Sequence, residues 1–126
     1  MSALIQPPTM GDVLKYELNP NFTRETVTLL AGSTYRVGAV LGRITASGKM
    51  KLSTVPGTDG AQIAAAVLLY DIDATAADAS AVVLLRGPAI VSKAALVFDA
   101  SVDDAAKTAA KHAQLTALGI IPRDAA

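Results

Sequence analysis

Residues 38–53 read G-A-V-L-G-R-I-T-A-S-G-K-M-K-L-S, and residues 59–69 read D-G-A-Q-I-A-A-A-V-L-L. The first stretch has the form of a strand, a tight glycine turn and a second strand. Ala46-Ser47-Gly48 fits a short hairpin loop with Gly48 at positive φ. Beyond it Met50 and Leu52 alternate with Lys49 and Lys51, the period of a half-buried strand. Gly38 and Gly42 inside the run Tyr35–Thr45 predict a bulge, a bend or a close backbone approach. Val37, Ala39 and Leu41 fall on one face of that run, and Arg36, Gly38 and Val40 on the other. Asp59-Gly60 is a turn signal closing a loop from Thr54. Ile63 to Tyr70 is almost continuously apolar, as in a strand covered on both faces.

Working outward, Thr26–Leu29 alternates and is β-branched, which predicts a strand. Asp71 to Ser80 is polar and alanine-rich and reads as a connection. Ala81–Leu85 is a further buried strand, closed by Arg86-Gly87-Pro88, and Ala89–Val91 and Ala95–Phe98 are short apolar segments. One helix is signalled, over about residues 102–118. Ser101 is its expected N-cap with Asp104 as capping-box partner, and Gly119 and Pro122 its stop. Lys111 and His112 then lie toward the negative end of its dipole. Val102, Ala106, Ala109 and Ala113 make a narrow stripe suited to close packing on a sheet. Leu115 and Leu118 project away from that stripe. They call for cover from the Ile120-Ile121 tail or from a neighbouring subunit, so Leu115, Leu118 and Ile120 are the candidate subunit interface.

Residues 1–23 differ in character from the rest. Pro7, Pro8 and Pro20 interrupt the backbone and no helix or strand period survives. Leu4, Ile5, Met10, Val13, Leu14 and Tyr16 are nonetheless apolar, which a purely solvating tail would not carry. The reading is an N-terminal arm over 1–23, followed by a β-rich domain over 24–126. Leu4, Ile5, Pro7, Pro8, Met10, Leu14 and Tyr16 are the arm's candidate contact residues. The fold class is mainly β with one C-terminal α-helix.

Composition narrows the function. The 126 residues carry 11 basic and 11 acidic side chains, so no broad attraction to nucleic acid or anionic membrane is expected. There is no cysteine, which excludes disulfides and thiolate metal sites. No basic, long-apolar signal segment opens the sequence, and its longest apolar run is too short to span a bilayer. The expected place of synthesis is the cytoplasm. The chain has no Trp and only 2 Phe. Alanine and valine fill the core instead, and small side chains bury less area each. Association is the expected source of added stability.

No catalytic constellation is legible. Asp71, Asp73 and Asp78 could hold a cation or a small molecule, but they lack the glycine and closing glutamate of an EF-hand and read as turn carboxylates. Gly42 and Gly48 are one residue too far apart for a phosphate loop, and Met50 follows Lys49 where Ser or Thr is required. His112 is the single histidine, with no cysteine to complete a zinc site, and reads as a helix-end cation or a surface residue. No cofactor and no metal are expected.

The motifs Gly42–Lys49, Asp59-Gly60-Ala61, Arg86-Gly87-Pro88 and Leu118-Gly119-Ile120 together resemble those of the head decoration proteins of lambda-type tailed phages, over about residues 11–121. The resemblance implies a β-clip-type mixed domain with an extended N-terminal arm and no enzymatic activity. It implies a homotrimer on the outside of the expanded head, seated at local threefold positions of the major capsid protein and cementing the lattice against DNA pressure. The arm here departs in its apolar content and in Pro7-Pro8.

Overall fold

The computed structural model describes residues 9–124. Strands β2 (Arg24–Leu29), β4 (Val40–Arg43), β5 (Met50–Leu52), β6 (Ala64–Leu68) and β8 (Ala79–Leu84) close a small barrel in the order β2-β5-β4-β6-β8. Strands β1 (Leu14–Glu17), β9 (Ala89–Ser92) and β10 (Ile120–Arg123) form a second sheet in the order β1-β9-β10. Strands β3 (Ser33–Tyr35) and β7 (Ile72–Ala74) make a two-stranded ribbon. One long helix, α3 (Ala105–Ala117), follows two single helical turns, α1 (Met10–Val13) and α2 (Pro20–Thr23). The chain is thus mainly β with one long C-terminal helix.

The residues of the opening motif do what their pattern predicts. β4 and β5 are an antiparallel hairpin with Gly42 opposite Lys51, and Gly48 in its turn has φ +74°. A Cβ on Gly42 would lie 2.1 Å from the Ala61 carbonyl oxygen, so the glycine is a close backbone approach at a register shift in the β4–β6 pair. β6 is covered on both faces. Ala66 and Leu68 join Leu29, Leu41, Met50 and Val83 in the core enclosed by the barrel. Ala64 and Val67 join Val13, Val40, Leu84, Val91, Leu115 and Ile120 in a second core. That second core lies where β1, β9, β10 and α3 pack on the barrel, which explains why β4 and β8 also bury residues of both parities.

Five local expectations are corrected. The run Tyr35–Thr45 is not one strand: Gly38, at φ +89°, turns the chain between β3 and β4, and the Ala95 carbonyl oxygen sits where its Cβ would be. The connection Asp71–Ser80 contains β7, which pairs antiparallel with β3. The helix starts at Ala105, not near 102. Asp104 caps it, its carboxylate accepting from the Lys107 N–H at 2.8 Å. Ser101 is otherwise engaged, donating to Asp99 at 2.6 Å and accepting from the Val55 N–H at 2.9 Å. The helix is also rotated from the expected face. Ala106, Ala109 and Ala113 are exposed, while Lys111 and Leu115 are fully buried. Long side chains bury more area per residue than alanine, and the face that carries them wins the sheet.

The fifth correction concerns the first described residues. Met10–Thr23 is not elementless. Val13 is fully buried, β1 pairs antiparallel with β9, and Asn19 caps α2 by accepting from the Asn21 N–H at 2.9 Å. The segment is held by Glu17, whose carboxylate accepts from the buried Thr23 hydroxyl at 2.6 Å and pairs with the Arg24 guanidinium.

Candidate functional site

The arm residues divide. Leu4, Ile5, Pro7 and Pro8 lie outside the described residues. Met10 packs against the second core, and Leu14 is half-buried opposite Val91 in β1. Tyr16 is 49% exposed. The candidate subunit interface divides as well. Leu115 and Ile120 are fully buried in the chain's own core, so neither offers a surface to a partner. The cover that Leu115 required is intramolecular, supplied by β10 and β6. Leu118 is 37% exposed and remains accessible.

Three of the exposed large residues have their main chains held by one turn, Arg86-Gly87-Pro88. Each of its three residues holds one of them. The Arg86 Nη1 donates to the Phe22 carbonyl at 2.5 Å, and its guanidinium carbon stands 5.3 Å from the Phe22 ring centroid. The Gly87 N–H donates to the Leu118 carbonyl at 2.9 Å. The Pro88 carbonyl accepts from the Leu18 N–H at 3.0 Å. Leu18 and Phe22, from one segment, and the distant Leu118 are thereby brought to one end of the three-stranded sheet. Leu18 is 59% and Phe22 53% exposed.

Backbone packing makes this turn rigid. A Cβ on Gly87 would sit 1.8 Å from the Gly119 carbonyl oxygen, so only glycine allows the two loops to touch. Gly119 itself has φ +84°, the left-handed helix stop expected of it. The Thr23 carbonyl accepts from both the Leu85 and Arg86 N–H groups, at 2.8 and 3.3 Å, which ties α2 to the same turn. The charges around the face are paired: Arg86 with Glu25 at 3.0 Å, and Arg24 with Glu17. Burial opposes ionisation of Glu17, yet hydrogen bonds from Arg24 and Thr23, with the Arg24 charge, hold its carboxyl below the usual 4.5.

The acidic loop is engaged in architecture. Asp71 accepts from the Val37 N–H at 2.7 Å, Asp73 from the Thr75 N–H and hydroxyl, and Asp78 from the Ala31 N–H at 2.8 Å while pairing with Lys49 at 2.6 Å. Each carboxylate closes a different junction. No group of three or more metal-ligating side chains of the His, Cys, Asp and Glu types occurs among the described residues.

Two helix residues depart from their expected roles. Lys111 is not a helix-end cation but a buried peg. Its ammonium donates to the Ser53 hydroxyl at 2.9 Å, the Thr54 carbonyl at 2.9 Å and the Gln62 carbonyl at 2.5 Å. Three donors meet three acceptors. Burial lowers its pKa from the usual 10.5, and the Asp99 carboxylate opposes that. His112 packs tilted on Phe98 with ring centroids 5.8 Å apart. Burial and then the Lys93 charge push its pKa below 6.5, against the pull of Asp124, so it favours the neutral ring.

Sequence reasoning missed Leu18 and Phe22, and read Arg86-Gly87-Pro88 only as a strand-closing turn motif. The Asn19-Pro20 pair, an N-cap followed by proline at the first helical position, was the legible sign that this segment is ordered.

The four motifs of the opening reading meet in pairs. Asp59-Gly60 lies against Arg43 and Thr45, with the Thr45 N–H donating to the Asp59 carbonyl at 2.8 Å. Arg86-Gly87-Pro88 lies against Leu118-Gly119. The family model described as bacteriophage lambda head decoration protein D matches residues 3–120. No curated protein matches the chain.

Proposed function

Because this chain belongs to the family of bacteriophage lambda head decoration protein D, we propose that it is a homotrimer that binds the outer surface of the expanded phage head. The family is one of structural phage-head proteins, and a capsid role rather than catalysis follows from membership. The proposed seat is the set of local threefold positions of the major capsid protein lattice, where three copies clamp neighbouring capsomers against the pressure of packaged DNA. The observation that carries this reading is the family match across residues 3–120, which takes in both glycine junctions.

The docking element is the first stretch of the chain, residues 1–8 with Leu4, Ile5, Pro7 and Pro8, and Tyr16 on β1 is exposed as a further contact residue. Prolines reduce the entropy lost when a segment is fixed in an extended form. Strand addition to an exposed capsid edge is the mode such a segment fits, with backbone hydrogen bonds supplying affinity and alternate side chains fit. Met10 and Leu14, being committed to the chain's own core and sheet, anchor the arm rather than dock it.

Co-sedimentation with expanded and with unexpanded undecorated heads of the cognate capsid protein tests the reading. Binding to the expanded form alone is expected. Equal binding to both, or to neither, removes the proposal.

A further inference from the structure

We propose that His112 fastens α3 to the strap Lys93–Phe98 only while its ring is neutral, so that mild acid loosens this corner of the fold. The fastening is a property of the folded chain, whatever the chain binds. The strap is the single 3-10 turn Lys93–Ala95 and the three residues after it. Its main chain holds it to the barrel. The Val40 N–H donates to the Val97 carbonyl and the Val97 N–H to the Gly38 carbonyl, each at 2.9 Å. Leu96 is buried in the second core, and Phe98 packs against that core. On the helix side the Phe98 ring meets the His112 ring, tilted by 58° with centroids 5.8 Å apart.

The position of the His112 ring decides its protonation. Nε2 is buried and meets no hydrogen-bond partner among the described residues. A neutral imidazole suits such a place, because it can carry its one proton on Nδ1 and leave Nε2 bare. The imidazolium has an N–H at both nitrogens. Protonation therefore puts a donor and a positive charge where nothing accepts them.

The surrounding charges do not supply the acceptor. Lys93, at the start of the strap, is a like charge, and Asp124, beyond β10, is an opposite one. These two stand 3.8 Å apart as a pair, and Asp124 is 87% exposed, so water screens it. The other charged groups of the strap's end and of the helix are committed elsewhere. Asp99 accepts from the Ser101 N–H and hydroxyl, Lys107 pairs with Asp103, and the Lys111 ammonium is held by Ser53, Thr54 and Gln62. Burial first, and then Lys93, hold the His112 pKa below the usual 6.5. The stability of this corner is therefore full above about pH 6.5 and is lost as pH falls through the lower folded pKa. His112 is the chain's 1 histidine, so no other side chain of ordinary pKa changes charge in this window.

The test follows the His112 and Phe98 rings of the full-length protein by NMR from about pH 8 to about pH 5. Amide exchange of α3 is measured alongside in wild type, His112→Phe and His112→Gln. The expected midpoint of His112 lies below 6.5, and the contact between the two rings weakens through that midpoint. In the wild type the opening constant of α3 should rise by about threefold to tenfold between about pH 7.5 and about pH 5.5. Both variants should change less than about twofold over the same range, having no imidazole to charge. Lys93→Gln should raise the midpoint, because it removes the like charge. A midpoint at or above 6.5 would overturn the proposal. So would a ring contact that stays unchanged through the midpoint, or variants with the same pH response as wild type. If neither His112 variant folds, the wild-type titration and ring contact decide the matter by themselves.

Discussion

Lys111 carries the clearest energetic consequence of any single side chain. Its ammonium is removed from water and satisfied only by Ser53, Thr54 and Gln62, so it fastens α3 to the loop between β5 and β6. Lys111→Met keeps the stem and strands those acceptors. A cost of about 2 kcal/mol is expected, because buried acceptors without donors lose their full desolvation penalty. A melting temperature equal to wild type would show that the loop refills with water at no cost. Nothing in the sequence marked this lysine, since its pattern position is that of any cation near a helix end. Only the rotation of the helix, set by which face fills the second core best, turned it inward.

Glu17 gives the pH dependence. Its folded carboxyl titrates below the usual 4.5, so the folded state favours the ionised form. The stability it contributes is fully present above about pH 4.5 and is lost as pH falls through the lower folded pKa. Glu17→Gln should cost about 2 kcal/mol near pH 7, from the loss of charged hydrogen bonds to Arg24 and Thr23. The difference from wild type should shrink steadily in melts taken below pH 4.5. A difference that does not vary with pH would mean that packing, and not charge, holds this corner.

Among the elements, the glycine junctions and the helix cap separate what the sequence made legible from what it did not. The β4–β5 hairpin, β6 and the glycine stop of α3 follow from local pattern, because turn chemistry and period act within a few residues. The junctions do not, because Gly42 meets Ala61 and Gly87 meets Gly119 only after the barrel has closed. Gly87→Ala should cost about 3 kcal/mol, since its Cβ would enter a backbone carbonyl. Gly48→Ala should cost only about 1 kcal/mol, the strain of φ +74° with open space around it. Equal melting temperatures for the two variants would contradict the account of Gly87. At the helix start, Asp104→Ala should cost about 1 kcal/mol, as for a lost N-cap. Had Ser101 been the cap, that change would be close to neutral.

On the scale of the whole molecule, the structure redraws the border between arm and domain. The sequence reading places it near residue 23, whereas Val13 is buried and β1 pairs with β9, so Met10–Thr23 packs on the domain. Removing residues 2–8 should leave the melting temperature within a few degrees of wild type and weaken head binding at least tenfold, or about 1.4 kcal/mol. Removing residues 2–16 should lower the melting temperature sharply as well, because it opens the second core. Of the two covers the sequence leaves open for Leu115, the structure shows the tail: Ile120, on β10 running parallel to β9, is buried with Leu115 in the second core. Leu118 is remote in sequence from Leu18 and Phe22, and no periodicity can bring it to the turn that holds them.

The central claim is that this fold decorates a phage head, and imaging of expanded, undecorated heads after incubation with the full-length protein tests it most directly. The account predicts density on the outer surface at the local threefold positions, three copies to each. Heads that remain bare at saturating protein, or copies bound at other positions of the lattice, would contradict it.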